Sequence, residues 1–471
     1  MLLEIRPSDA QRRFGRSAST SWLCLALLCL GTSAKGREPE SGSRDAEAGR
    51  HPTYSRDVQP LLQAKCWNCH QRGRVGPFAL ETYEQARKRA FDIASVVDSR
   101  TMPPWKADPD FGPQLKHDPS LTRAEIDLLR DWAEANAPKG ESVSRTALAA
   151  ETTEGDGWLL GEPDITLEMA EEFTIPASGP DLYRCFVLPS NLSHDVYVSA
   201  IEFLPGNRRV VHHMMAFIDI RGGARKRDAA DPGPGYASYS GAGVVVDGEL
   251  GGYAAGSQVV HLPEGVGRLV PRGADIVLQV HYHPTGKVER DRSRLGLHLS
   301  RKPVRQTIHW ANATNDKFRL PPGESNIEVK ASWFVPVDVE ALGVTPHMHE
   351  LGRDFRMTAT LPGGKVQDLV YIPRWDPTWQ NTYYFEERIP LPRGTTVHVV
   401  AHYDNSAHPR NPHKPPRLVG WGPDATDEMC VGYIGVVKKG QDLTRPGERD
   451  DLYQILAQQH MRNLARQRSK R

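Results

Sequence analysis

The stretch Val210-Val211-His212-His213-Met214-Met215-Ala216-Phe217-Ile218-Asp219-Ile220 reads as one β-strand with two histidines in its first half. Neighbouring residues of a strand point to opposite faces. His212 and His213 therefore reach one metal only where the strand bulges or ends; otherwise one is core and the other exposed. Val196–Phe203, Asp275–His281, Arg294–His298, Phe355–Leu361, Lys365–Ile372 and Thr396–Tyr403 share the strand character, with Pro-Gly, Gly-Gly and Asn-Gly-like turns between them. From Gly157 onward the chain is all-β over about 280 residues, a length that divides into two sandwiches, 157–310 and 311–440.

More histidines fall inside this β region. In Gln279-Val280-His281-Tyr282-His283 and Pro346-His347-Met348-His349, second-neighbour histidines share a face, so two ligands need no backbone distortion. Asp427-Glu428-Met429-Cys430 adds a thioether, a donor that favours Cu(I). Three histidines, or two with a methionine, leave positions open and suit copper, which cycles between two oxidation states, better than zinc. His402, His408 and His413 flank the turn-rich Tyr403-Asp404-Asn405-Ser406 and read as surface or supporting residues. His261, His298 and His309 have no evident partner.

Upstream the pattern is helical over 51–140: Arg56–Ala64, Thr82–Ser99 with Ala86, Ala90, Ile93, Val96 and Val97 at helical spacing, and Thr122–Ala137, closed by Pro138-Lys139-Gly140. Cys66-Trp67-Asn68-Cys69-His70 is the Cys-x-x-Cys-His pattern of covalent haem attachment. Two thiols one turn apart bond the haem edge and the histidine faces the iron. Met102, in Arg100-Thr101-Met102-Pro103-Pro104-Trp105, is the expected sixth ligand, with His117 its rival. A redox dithiol belongs in a βαβ setting and zinc needs a second cysteine pair; neither is present. The region resembles bacterial c-type cytochrome domains fused ahead of oxidoreductase modules.

The chain of 471 residues carries a net charge of +1, which gives no global reason to expect nucleic acid as a partner. Arg12, Arg13 and Arg16 precede the apolar run Trp22–Leu30 and the small residues Gly31-Thr32-Ser33-Ala34. This is the pattern of an export signal over 1–34; the other reading is a retained anchor. No later segment is apolar enough to span a bilayer, so a periplasmic or extracellular protein without stable membrane insertion is expected. Residues 35–50 and 141–156 read as linkers, and 441–471 as a basic tail with a solvated helix over Asp451–Ala465. Cys24 and Cys29 fall in the leader, and Cys185 and Cys430 are left as possible disulfide partners.

The ordered motifs His-His-Met, Leu-Gln-Val-His-Tyr, His-x-His-x-Leu-Gly and Asp-Glu-Met-Cys, with the opening Asp181-Leu182-Tyr183-Arg184-Cys185, resemble the ascorbate-dependent type II copper monooxygenases, the family of peptidylglycine α-hydroxylating and dopamine β-monooxygenases. The resemblance runs from about Gly157 to Val437. It implies two nine-stranded jelly-roll sandwiches with one copper each, facing across a solvent cleft. It also implies a relay copper on His212, His213 and His281, and a catalytic copper on His347, His349 and Met429 that binds O2 and hydroxylates an activated C–H of a small-molecule substrate. Gln279 lies near the first copper in the matching motif, as a structural or relay residue, and His283 is a possible competing ligand. Electrons come from ascorbate in the family; here the fused haem is a candidate relay from a periplasmic redox protein to the first copper. The family's arginine for a peptide carboxylate corresponds to Thr345. Its tyrosine has a counterpart in Tyr433, but the neighbouring asparagine is Val431, so a peptidylglycine substrate is not expected. The rival reading is an electron-transfer or copper-binding haem protein without oxygenase activity.

Overall fold

The computed structural model describes residues 51–72, 76–141, 157–239, 241–254, 259–422 and 424–468. The expected leader, the first linker and nearly all of the second lie outside the described residues.

The front region is helical. A π-helical turn, Tyr54–Val58, runs into α1 (Gln59–Lys65), followed by α2 (Tyr83–Lys88), α3 (Ala90–Asp98) and α4 (Arg123–Glu134). The single helix expected over Thr82–Ser99 is two. Arg89 leaves helical geometry at φ −118°, ψ 17°, and its guanidinium sits 3.9 Å from the Phe78 ring centroid. The break lets α2 bury Ala86 while α3 buries Ala90, Ile93 and Val97 along its own stripe. Thr82 with Gln85, and Thr122 with Glu125, form reciprocal capping boxes, each worth about 1 kcal/mol. Trp132, fully buried against Tyr54, Leu62 and Leu129, centres this small core.

The rest is β. In the first sandwich one sheet runs, in spatial order, Ile165–Glu168, Arg294–Leu299, Val196–Leu204, Val266–Val270, Gln306–Thr307. The other runs Tyr236–Ala237, Leu182–Pro189, Asp275–Tyr282, Val211–Asp219, Gly248–Ala254. Leu297 and Val198 from one sheet meet Met214 and Leu278 from the other in a shared core. Asp275–Tyr282 is buried along its whole length, because α5 (Gly223–Asp228) and the Tyr236–Ala242 segment cover its outer face through Ala224, Tyr236 and Ala242.

The second sandwich packs His309–Thr314, Val431–Lys438, Val339–His347 and Tyr383–Leu391 against Ile327–Phe334, Thr396–Tyr403, Gly352–Thr360 and Val366–Ile372. Val344, Ile434, Phe355 and Val399 lie between the sheets. Among the described residues each sandwich departs from the expected nine strands: two five-stranded sheets in the first and two four-stranded sheets in the second, with two-stranded ribbons beside them.

A strap joins the helical region to the second sandwich. After α3 the chain sends Trp105 and Ala107 into the second core, with the Trp105 ring edge-on to Tyr383 at 4.9 Å. It then runs beside two strands through Asp108 N to Tyr371 O (2.8 Å), Glu386 N to Gln114 O (2.9 Å) and Lys116 N to Tyr384 O (2.7 Å).

Two expectations are corrected. The tail helix, α6 (Leu452–Arg468), is docked at its start, not solvated. Leu452 is fully buried in the second core, Trp333 Nε1 donates to Gln459 Oε1 at 3.0 Å, and Lys438 pairs with Asp451 at 2.7 Å. Cys185 and Cys430 are both buried thiols without a disulfide; Cys185 packs beside Phe217 and Tyr236 of the first sandwich, Cys430 in the core of the second.

Candidate dinuclear metal site

His212 and His213 sit near the start of Val211–Asp219, where the register against Asp275–Tyr282 shifts between Val211 and His213. This irregularity turns both imidazoles toward His281 on the neighbouring strand. His213 Nδ1 lies 3.3 Å from His212 Nδ1 and 3.2 Å from His281 Nδ1, so three ring nitrogens converge on one point. Metal–imidazole bonds of ~2.0 Å at a tetrahedral angle separate two ligand nitrogens by ~3.3 Å, so the triad has the spacing a metal ion requires. Asp181 fixes the tautomer: its carboxylate accepts the His281 Nε2–H at 2.7 Å, which leaves the Nδ1 lone pair facing inward. The Tyr183 ring stacks on His281 at 4.1 Å.

Burial keeps these rings neutral. It pushes His213 well below the ordinary imidazole value, with the neighbouring histidines adding to it, and pushes His281 down to about 4. His212 is lowered by the same cause. A neutral imidazole is the form that ligates. Asp181 is held below the usual carboxylate range: burial pulls it up, but hydrogen bonds from His283 and His281 outweigh that.

His347 ends the strand Val339–His347, and His349 follows in the turn after it. Their rings stand edge to face, centroids 5.2 Å apart. His347 Nδ1 donates to Gln380 Oε1 at 2.6 Å, and Gln380 is oriented by its own Nε2–H to Pro377 O at 2.9 Å. His349 Nδ1 donates to Asp427 O at 3.1 Å. Both Nδ1 positions are thus occupied and both Nε2 lone pairs remain for a metal. Burial lowers both rings, His347 to about 4. Met429 lines the same cavity.

What joins Met429 to His349 is Glu428, fully buried. Its carboxyl accepts the backbone N–H of His349 (2.9 Å), Leu351 (2.6 Å) and Met429 (3.2 Å). Burial raises its pKa to about 8, against the pull of those three donors. Tyr403 Oη donates to Met429 O at 2.7 Å and closes the turn.

The structure brings His212, His213 and His281 into one triad and His347, His349 and Met429 onto one cavity wall. Both groups line a single cavity of about 500 Å³ between the sandwiches. His283 stands aside, its side chain 67% exposed and bonded to Asp181 at 2.8 Å, and it is not in the triad. Gln279 is structural: its Nε2 donates to Ser238 O and Gly241 O, both at 2.9 Å. Thr345 and Tyr433, cross-strand partners, line the cavity, and burial raises Tyr433 to about 12. His298 is bonded to Glu202 at 2.8 Å, His309 to Asp450 at 2.8 Å and His402 to Asp354 at 2.8 Å. All three are structural pairs. Asp181 and Glu428 stand in the quoted motifs with no role assigned to them, and Gln380 stands in none; the supporting role of all three comes from the structure.

In the helical region, Cys66 and Cys69 lie in one turn with His70, whose N–H bonds Cys66 O at 2.9 Å. His70 Nδ1 donates to Phe78 O at 3.0 Å, so Nε2 is left to ligate. These residues fit a c-type haem. Met102 lies in the turn after α3, its N–H on Val96 O at 3.0 Å, 36% exposed. His117, at the far end of the strap, has φ +53°.

Residues 311–441 match the family model for the C-terminal domain of the copper type II ascorbate-dependent monooxygenases. The second sandwich, with His347, His349 and Met429, is therefore similar to a domain of a copper-dependent oxidoreductase family. No curated protein matches the chain. Among solved structures, the VP2 subviral particle of infectious bursal disease virus is 9% identical, with 58% of this chain and 71% of that one covered and a TM-score of 0.18. The Gx strain structure of the same virus is also 9% identical, over 58% and 70%, with a TM-score of 0.19. At these scores the likeness carries nothing about the fold.

Proposed function

We propose that the protein is an exported copper-dependent monooxygenase that hydroxylates an activated C–H of a small molecule with O2, and that a c-type haem in residues 51–140 relays its electrons. The observation that carries the reading is two differently built donor sets, three Nδ1 atoms on one side and two Nε2 atoms with a thioether on the other, lining one cavity. Overall, one C–H, O2, two electrons and two protons give one C–OH and water. Bound copper supplies a one-electron change at each site and the position where O2 is reduced.

The chain's residues set the rest. Asp181, Gln380 and the Asp427 carbonyl hold His281, His347 and His349 in the tautomer that ligates. Glu428 holds Met429 and His349 in one turn, so a soft and a hard donor meet at the second site and Cu(I) is favoured there. The triad of imidazoles, with no thioether, suits storage of an electron. Cys66 and Cys69 would attach the haem, and His70 and Met102 would hold its iron, which would supply a one-electron change. The strap holds this region against the second sandwich, and the electron donor to it would be ascorbate or a periplasmic redox protein.

The test is the copper and haem content of the mature protein, with His212→Ala and Met429→Ala assayed beside it. Two coppers and one covalent haem are expected, with one copper lost in each variant. Copper content indifferent to both substitutions overturns the ligand assignment. Oxygen uptake uncoupled from substrate loss leaves a copper-binding haem protein without oxygenase activity. Met102→Ala should lower the haem midpoint potential, since a thioether ligand raises it.

A further inference from the structure

The cavity holds one cation that neither metal site uses. Arg268 lies on Val266–Val270 of the first sandwich and lines the cavity. It is only 9% exposed. Its guanidinium faces the second sandwich, 6.0 Å from the Trp310 ring centroid. Tyr384, also from the second sandwich, lines the same cavity. Among the described residues no carboxylate forms an ion pair with it. Glu249 lines the same cavity and acts on it through its field.

A cation taken out of water without a counter-charge is strongly disfavoured. Burial pulls the Arg268 pKa down and pushes Glu249 up, each offset only in part by the other's charge. Trp310, Tyr384 and Tyr433 line the same cavity with Val198, Leu250 and Leu262. A cleft of aromatic and aliphatic side chains with one desolvated guanidinium is built to receive an apolar body carrying an anionic head, since a carboxylate accepts two parallel N–H bonds from the guanidinium fork. We infer that Arg268 anchors the carboxylate of an aromatic or alkyl acid, which fixes the substrate's orientation between the two histidine clusters. The inference rests on the monooxygenase reading and names its substrate class. Arg268 touches substrate but supplies no proton or electron.

The test uses the metal-free full chain and three probes of one shape: 4-phenylbutyrate, 4-phenylbutanamide and 4-phenylbutylamine, measured by titration calorimetry at pH 7. The carboxylate should bind about tenfold tighter than the amide, the scale of one charge-assisted hydrogen bond, and the amine weakest. Arg268→Gln should level carboxylate and amide, and Arg268→Lys should keep part of the preference. Glu249→Gln should tighten the carboxylate several-fold by removing a repelling charge. If Arg268→Gln fails to fold, the Arg268→Lys and Glu249→Gln results decide. Equal binding of carboxylate and amide by wild type, a preference that survives Arg268→Gln, or no binding of any probe at millimolar concentration overturns the inference. Copper content separates the two ideas. Two coppers with no carboxylate preference defeat this inference alone, and a carboxylate preference without copper defeats the monooxygenase alone.

Discussion

The two histidine clusters line one cavity but are built on opposite principles. The first is made within a sheet: His212 and His213 on one strand, His281 on its neighbour, brought together by an irregularity in the register. Its one charged support among the described residues, Asp181, is partly exposed. The second is made at the end of a sheet. One histidine closes a strand, the other follows in a turn, and the methionine comes from a loop 79 residues after His349's neighbour Glu350. That turn is held by the fully buried Glu428. A site within a sheet inherits rigidity from the backbone ladder. One built from loops needs a buried acceptor to tie its strands of chain together.

The largest effect should follow from removing that tie. Glu428→Ala leaves three backbone donors without their acceptor and should destabilise the protein by about 3 kcal/mol. Metal analysis should find the second copper gone and the first retained; loss of both would show that the two sites are not independently built. Next comes the loss of a ring's orienting partner. Gln380→Ala should weaken copper binding at the second site by roughly 10–100-fold. Asp181→Asn should weaken the first by about tenfold, since His212 and His213 do not depend on it. Competition against a chelator reads both, and the reverse order would contradict the assignment of rigidity to the sheet.

Acidity tests what the clusters share. His281 and His347 are both pushed to about 4 by burial, so the unfolded chain binds protons that the folded metal-free protein does not. The histidines' share of the metal-free protein's stability should therefore be lost as pH drops from about 6.5 toward about 4, while Glu428, raised to about 8, contributes stability of the opposite sign that is lost as pH rises from about 4.5 through about 8. Urea unfolding of the Glu428→Gln variant between about pH 4 and 6.5 isolates the histidines; a flat profile there would mean the rings are charged in the folded state. The smallest effect is expected at His283. His283→Ala should leave copper affinity at the first site within about threefold, and a larger loss would make it a ligand.

The strand pattern was legible because alternation and turn chemistry are local. Thr396–Tyr403 falls on its expected ends, and Val196–Leu204 and Asp275–Tyr282 exceed theirs by one residue. The histidines stood out by residue type and spacing. Their supports did not: Gln380 lies 33 residues from His347, Glu428 79 from His349 and Asp181 100 from His281, and nothing local marks an ordinary Gln, Glu or Asp as buried against a ring or a turn. The helix over Thr82–Ser99 was read as one because its apolar positions continue through Arg89. The break is set by tertiary contacts, Phe78 beneath Arg89 and separate stripes on either side. The tail was read as solvated from its charge, although Leu452 sits in the second core.

The strap gives the molecule a property of timing. Lys106 pairs with Asp376 at 3.0 Å, one residue beyond Trp375, whose indole N–H bonds His349 O at 3.0 Å. With Trp105 in the second core, the helical region cannot swing away without exposing a buried indole, a loss of several kcal/mol. Any redox group carried there meets its acceptor at a fixed separation. Its transfer would be first-order and indifferent to dilution and ionic strength, where a diffusing donor would slow with both.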